Sequence, residues 1–225
     1  MVPGVRLVVL GKQGAGKGTQ CVRLSHHYVV PHVSTGDMLR AAVKSGSDLG
    51  QKVKAVMDAG ELLGDDLIME MVGDRLAEPD ARARGFILDG CPRTVHQAEM
   101  LHSMVNPVGL DLAVDIVVPT SQVLRRLAGR RVCVDCNTNY SVQSPPRVNW
   151  TCDVCGGEVI QREDDTEDAI RRRLELYERE TAPLIAWYEN AGLLAEVNGV
   201  GAPDAVLRRI IRAIEDRRSK KVGPR

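Results

Sequence analysis

The chain has 225 residues, enough for one domain with a sizeable core and inserted modules. Its 30 basic and 30 acidic residues cancel, which argues against a protein that holds nucleic acid by bulk charge. Hydrophobic residues at 44% suit a soluble globular protein, aromatics at 3% leave aliphatic side chains to fill the core, and no apolar window of about 18 residues predicts a transmembrane helix.

The apolar run Val5–Leu10 reads as a buried strand. It leads directly into Gly11-Lys12-Gln13-Gly14-Ala15-Gly16-Lys17-Gly18-Thr19-Gln20, and helical spacing follows over Gly18–His27. Strand, glycine-rich turn, lysine and helix form a phosphate cradle. Backbone N–H groups of the turn and the helix N-terminus face the anion, and Lys17 reaches the outer phosphates of a nucleotide. A dinucleotide-binding turn is the competing reading, but its glycine spacing is not met and it leaves Lys17 without a role. Because the N-terminus runs straight into this strand, no signal peptide is expected, and the protein is expected to be cytosolic.

Further strand-like runs are Val29–Val33, Phe86–Leu88, Ala113–Val118 and Leu194–Val197. Between them, helical spacing is predicted for Gly36–Lys44, Leu49–Ala59, Asp66–Glu78, Thr94–Ser103 and Gln122–Leu127. A long helix should begin near Thr166, favoured by Asp164, Asp165, Glu167 and Asp168, with a kink or break at Pro183. A last helix should start at Pro203-Asp204, bury Val206, Ile210, Ile211 and Ile214, and fray in the charged tail Arg217–Arg225. Alternating strands and helices predict an α/β fold, a parallel sheet with helices on both faces. Two stretches break this rhythm: a helical insertion from about Ser34 to Leu63, and a Cys, Pro, Asn and Gly-rich one from about Arg130 to Glu163. Insertions of this length usually serve as lids or binding modules.

Three further patterns carry chemistry. Phe86-Ile87-Leu88-Asp89 is an apolar strand ending in a carboxylate, which beside a phosphate loop suits Mg²⁺ held through water; a helix cap or loop aspartate is the plainer alternative. Cys133, Cys136, Cys152 and Cys155 form C-x2-C-x15-C-x2-C, the spacing of a closed tetrahedral zinc site. Two disulfides are the alternative. Cys21 and Cys91 fit no ligand pattern, and Cys21 reads as a buried helix residue. Finally, Arg40, Arg93, Arg126, Arg130, Arg131, Arg162 and Arg171 to Arg173 bracket both insertions and the Asp89 strand. Any one of them alone is more often a solvated or salt-bridged residue. Together they suit phosphoryl transfer between two polyphosphate-bearing molecules, where arginine forks neutralise and align the charges.

Over residues 5 to 215 these motifs resemble the bacterial adenylate kinases of the long-lid, zinc-bearing type. The carriers are G-A-G-K-G-T-Q, S-T-G-D-M-L-R, D-G-C-P-R-T, the G-R-R before the cysteines and the R-E-D-D after them. The resemblance implies a phosphate-loop nucleoside triphosphate hydrolase-like three-layer fold with a five-stranded parallel sheet. Residues 1–33, 64–129 and 164–225 would form the core, 34–63 an AMP-binding insertion and 130–163 a zinc-bearing lid. It implies the reaction ATP + AMP = 2 ADP with Mg²⁺, a structural Zn²⁺, a monomer, and no nucleic-acid or membrane partner. By position, Gly14, Ala15, Gly16, Lys17, Gly18 and Thr19 would cradle the ATP phosphates, Arg126, Arg130, Asn139 and Tyr140 would line the ATP side, and the backbone near Gly201 would touch the adenine. Thr35, Arg40, Glu61, Leu62, Leu63, Gly90, Cys91, Pro92, Arg93 and Gln97 would form the AMP pocket. Arg162 and Arg173 would reach the transferred phosphate. Lys17, Arg93, Arg130, Arg162, Arg173 and Asp89 would be the catalytic set.

Three positions depart from that pattern. Cys91 replaces a usual aromatic, Gly64 replaces the Pro or Thr of the following loop and should loosen a hinge, and Lys12 replaces a Pro. A kinase of another nucleoside monophosphate is the near rival, disfavoured by the long cysteine-bearing insertion. A zinc-ribbon nucleic-acid binder is the distant one, disfavoured by Asp135, Asp153 and Glu158 beside Arg130, Arg131 and Arg147.

Overall fold

The computed structural model describes residues 4–46, 48–59, 61–162 and 165–221. In chain order the elements are β1 (Val5–Leu10), α1 (Lys17–Tyr28), β2 (His32–Ser34), α2 (Thr35–Lys44), α3 (Asp48–Ala59), α4 (Asp65–Ala77), α5 (Pro79–Arg84), β3 (Gly85–Asp89) and α6 (Val95–Val105). There follow β4 (Leu112–Val117), α7 (Thr120–Ala128), β5 (Arg130–Cys133), β6 (Asn139–Ser141), β7 (Val159–Ile160), α8 (Glu167–Leu176), a π turn (Tyr177–Thr181), α9 (Pro183–Asn190), β8 (Leu194–Asn198) and α10 (Pro203–Lys221).

Five strands pair in parallel in the order β2-β3-β1-β4-β8. The chain winds outward from β1 in both directions, so the strand order reverses there. The crevice outside the C-terminal strand ends at such a point is where ligands bind in open α/β sheets. Period-two alternation along β1 supplies both cores. Val5, Leu7 and Val9 pack with Cys21 and Leu24 of α1 and Val206, Ile210 and Ile214 of α10. Val8 and Leu10 face the other way, with Ile68, Met69 and Val72 of α4, Leu101 of α6 and Leu184 and Tyr188 of α9. The three-layer α/β class predicted from the sequence is the one observed.

Several boundaries differ for local reasons. β2 begins only at His32, because Val29 closes α1 in a left-handed turn (φ 53°). α5 was not anticipated, although Pro79 at its first turn and Asp80 behind it are helix-start residues. At Pro183 the helix breaks. Its missing N–H is accommodated at the start of α9, directly after the π turn, where Ala182 N–H donates to Tyr177 O (2.8 Å). The expected fraying of the tail does not hold through Lys221. Arg218 in α10 lies 5.3 Å over the Tyr28 ring and donates to Gly4 O, fastening the helix to the start of β1. Residues 222–225 of that tail, and Glu163 and Asp164 at the end of the second insertion, lie outside the described residues. That insertion folds as a three-stranded antiparallel sheet, β6-β5-β7.

Candidate active site

The turn after β1 takes positive φ at Gly11 (131°), Gly14 (80°) and Gly16 (103°), a path closed to other residues. A Cβ on Gly14 would also sit 2.9 Å from Leu127, so α7 packs directly on the loop. Gly16 caps α1 without a side-chain hydrogen bond, and the first turn of α1 has no acidic residue. Its N-terminal N–H groups and partial positive charge therefore face an anion without competition from a carboxylate. Ala15 is buried, and Gly18 and Thr19 continue the first turn, half-buried. Lys17 folds back over the loop, donating to Gly11 O (2.7 Å) and Lys12 O (3.1 Å). Burial pulls its pKa below the ordinary lysine value, against the opposing charge of Asp89.

Asp89 ends β3 beside this turn, with one carboxylate oxygen 3.5 Å from where a Gly18 Cβ would be. Its burial works against the charge. The His32 hydrogen bond (3.3 Å), Lys17 and Arg93 outweigh that and hold the carboxyl below its ordinary value. It is therefore an ionised carboxylate, a donor suited to a hard divalent cation.

A second cluster starts at the next residue. Gly90 takes φ 83°, and a Cβ there would lie 2.7 Å from the Thr35 hydroxyl, which donates to Asp89 O (3.4 Å). Arg93 donates through Nε to Gly90 O (2.8 Å) and through its backbone N–H to Gln97 Oε1 (2.8 Å). Gln97 and Thr94 both donate to Asp65 (2.6 and 2.8 Å). Thr181 donates to Arg93 O (2.9 Å), which ties the π turn to this loop. Burial, then Arg173, lowers the pKa of Arg93, with Asp89 opposing and Arg40 adding to the shift. Arg93, Arg173 and Arg40 thus form a cationic group whose mutual repulsion an anion would relieve. Arg40 is meanwhile paired with Asp37 on its own helix. Cys91 and Pro92 are buried; the Cys91 thiol lies 3.6 Å from Met69 Sδ and 3.7 Å from Gln97 Oε1, and burial pushes it up to about 12. Leu63 packs on the second core, Leu62 is half-buried and Glu61 is exposed.

Residues of α7 and of the second insertion also reach this crevice. Arg126 donates to Ala15 O (3.0 Å) and Gly199 O (3.2 Å), joining the glycine turn to the loop after β8 that carries exposed Gly201. Arg130 makes a two-point ion pair with fully buried Asp165 (Nε to Oδ2, 2.6 Å). With its amide oxygen turned to the cations, Gln13 accepts from Arg173 (2.8 Å) and Arg130 (3.1 Å). Arg173 also donates to Met57 O (3.1 Å) in α3. Asn139 comes within 4.0 Å of the Cβ position at Gly18. Arg162 is half-buried near the end of the second insertion. The two insertions meet at Lys44 and Asp135, 4.0 Å apart. Tyr140 lies next to Asn139 in β6. Its hydroxyl accepts from Asp153 N–H (2.8 Å) and lies 3.4 Å from Cys152 Sγ, so that end of the side chain braces the cysteine module.

The four lid cysteines converge, all sulfurs within 4.8 Å of one another. Cys133 and Cys155 are 3.4 Å apart, Cys136 and Cys152 3.5 Å. Thiolates each about 2.3 Å from one tetrahedral ion would be spaced by about 3.8 Å, so the set fits zinc, whereas a disulfide needs sulfurs about 2.05 Å apart. A Cβ on Gly157 would lie 2.3 Å from Oδ2 of exposed Asp135 and 3.0 Å from Cys133 Sγ, so a larger residue would displace the Asp135 side chain and crowd the cysteine.

Sequence reasoning missed Asp65, Asp165 and Thr181, which orient Gln97, Arg130 and Arg93. Asp165 carried the signal of a helix start, and that role falls to Thr166, whose hydroxyl accepts from Ala169 N–H (3.3 Å).

A glycine-cradled anion site at the sheet's switch point, a carboxylate beside it and a second cationic pocket define a phosphate-loop phosphotransferase. The family model for adenylate kinase matches residues 9–193. The chain is 48% identical over 214 residues to an adenylate kinase of Thermodesulfovibrio yellowstonii, covering 94% of this chain and 99% of that one. It is 46% identical over 213 residues to those of Acetivibrio thermocellus and Moorella thermoacetica, in each case covering 93% of this chain and 98% of the relative. The chain belongs to the adenylate kinase family, and its activity is nucleoside monophosphate kinase phosphoryl transfer, ATP + AMP = 2 ADP.

Proposed function

We propose that the two clusters divide the two nucleotides. The turn Gly14–Thr19 holds the ATP phosphates, with Arg126, Arg130, Asn139 and the Gly201 loop on the same side. Thr35, Arg40, Glu61, Leu62, Leu63, Gly90, Cys91, Pro92, Arg93 and Gln97 hold AMP. Residues 1–33, 64–129 and 164–225 act as the core, 34–63 as the AMP-binding insertion and 130–163 as the lid. The observation that carries this division is Asp89, whose charge is stabilised from one side by Lys17 of the glycine turn and from the other by Arg93 of the second pocket.

No side chain needs to attack. The AMP phosphate oxygen is the nucleophile and is already ionised, so no catalytic base is required. Catalysis rests on alignment and on positive charge placed where negative charge develops. Lys17 leaves its carbonyl partners for the outer phosphates of ATP. Arg93 and Arg173 exchange mutual repulsion for contacts with the transferred group, and Arg130 and Arg162 close on it from the lid side. Asp89 would hold Mg²⁺ through water, and that ion would neutralise phosphate charge. The four lid cysteines would hold a structural zinc, which leaves no open position for chemistry and stiffens the lid so that it moves as one body. Closure excludes water and so protects ATP from hydrolysis.

Thr35 and Gln97 are residue types that suit an adenine edge. A coupled assay comparing AMP, CMP, UMP and GMP tests this, with AMP the preferred acceptor. Preference for a pyrimidine acceptor would overturn the assignment. Among the described residues no helix is long and apolar enough to cross a membrane. We read the protein as a cytosolic monomer without nucleic-acid partners, which sedimentation and salt-dependent binding assays check.

A further inference from the structure

Among the described residues, one other group of ligand-type side chains converges besides the four cysteines: Cys21, His32 and Asp89, with ligand atoms all within 4.8 Å of one another. The fold brings them together in a simple way. Cys21 follows Lys17 by one turn of α1, on the same face and beneath the glycine turn. Ser34 of β2 pairs with Asp89 of β3, so His32, two residues earlier, is the diagonal neighbour of Asp89 on the same face of the sheet. His32 Nε2 lies 3.3 Å from Asp89 Oδ2, and about 3.3 Å is also the edge between a nitrogen and an oxygen ligand held near 2.0 Å by one tetrahedral ion.

We propose that Cys21, His32 and Asp89 form a second, inhibitory site for a thiophilic divalent cation such as zinc or cobalt. The donor set decides the ion. Mg²⁺ takes oxygen ligands and gains nothing from a thiol and an imidazole, whereas zinc and cobalt prefer both. Three protein ligands leave one position open, which water fills. The thiol must give up its proton to the solvent when the metal–sulfur bond forms, so binding releases a proton and tightens as pH rises. Burial pushes the free Cys21 thiol well above its ordinary value. With one thiolate against four, the site should be weaker than the cysteine cluster and fill after it. Its consequence rests on the reading of Asp89 as the Mg²⁺-side carboxylate. An ion held by Cys21 and His32 withdraws Asp89 from the ATP-bound Mg²⁺, and excess zinc becomes a brake competitive with MgATP.

The experiment titrates Co²⁺ into full-length protein whose lid is already loaded with zinc, with lid zinc monitored by elemental analysis. Expected are one further cobalt per chain, a thiolate-to-cobalt charge-transfer band, the visible bands of four-coordinate cobalt, and release of a proton. Cys21→Ala should abolish the charge-transfer band, and Cys21→Ala and His32→Gln should each weaken binding by about 10–100-fold. His32→Gln, at a partly exposed position, guards against a folding defect in the core variant. Cys21→Ala should keep normal turnover in Mg²⁺ alone and lose inhibition by zinc. A cobalt spectrum unchanged in Cys21→Ala would overturn the site, as would bands that appear only as lid zinc is lost. The spectrum is independent of turnover, so its failure is distinguishable from failure of the kinase assignment.

Discussion

Lys12 Nζ lies 2.7 Å from Glu178 Oε1 and 3.0 Å from Thr120 Oγ1, and so ties the phosphate loop to the π turn and to α7. This gives a physical role to a residue for which the sequence offered none. The loop is braced from outside by a side chain. Glu178 is more than half exposed, so the ion pair itself contributes little stability. We expect Lys12→Ala to change unfolding free energy by less than about 1 kcal/mol. The Michaelis constant for ATP should rise by about 2–5-fold as the loop loses its alignment. Denaturant titration and steady-state kinetics check both.

Lys17 and Arg93 both act on the charge of Asp89, and each is half-buried and donates to backbone carbonyls. Lys17→Met and Arg93→Ala should each lower kcat by about 100-fold or more, the usual cost of removing one preorganised charge donor. Far-UV circular dichroism should stay native in both. Near-normal turnover in both variants would sink the division of the site proposed above.

The cysteine cluster should hold one tightly bound zinc per chain by elemental analysis. The lid's own apolar cluster is small: Cys133, Cys152 and Val159, with Tyr140 packed against them. It cannot replace metal binding worth ~10–16 kcal/mol in isolated zinc modules. Chelation or Cys152→Ser should cost a few kcal/mol, on the order of 10 °C in melting temperature for a chain of this size. Turnover measured well below the transition should fall less. Unchanged melting on metal removal would refute the structural role.

Much of this site was legible because its pieces are local. The glycine turn, the strand ending in Asp89 and the paired cysteines each declare themselves within a few residues. Partnerships across long sequence separations were not legible. Nothing near Arg130 announces that Asp165 holds it, and nothing near Cys91 shows that the thiol packs on Met69 and Gln97. The resemblance carried Tyr140 over together with Asn139, and no local pattern announces that its hydroxyl meets Cys152 of the cysteine module.

Gly64 shows the same limit in backbone form. It was expected to loosen a hinge, but it takes φ −56° and ψ 141°, a conformation open to any residue, and a Cβ there meets nothing within 4 Å. In this state the glycine acts only by widening the freedom of the unfolded chain. Gly64→Ala should therefore stabilise the protein by about 0.4–1 kcal/mol in denaturant titration. A destabilised variant would mean that another backbone conformation at Gly64 is required.

Asp115 gives the fold a pH signature of definite sign. It lies in β4 between Leu10 and Glu196, is buried, and its Oδ1 has no hydrogen-bond partner among the described residues. Burial, then the charge of Glu196, raises its pKa from 3.8 to about 6, while Lys17 and Lys12 oppose the shift. The folded protein therefore binds a proton that the unfolded chain has already released. The stability this provides is complete below pH 3.8 and is lost as pH rises through about 6. Asp89 has the opposite sign. Its lowered pKa stabilises the fold above the ordinary carboxylate range, and that contribution is lost only as pH falls through the folded value. Asp115→Asn removes the first slope and leaves the second. We expect the variant to gain about 1–3 kcal/mol over the parent at neutral pH. The gain should shrink steadily as the medium is taken down from pH 6 to pH 4, as read by denaturant titration across that window. A gain of the same size at every pH would show that Asp115 is not the group responsible.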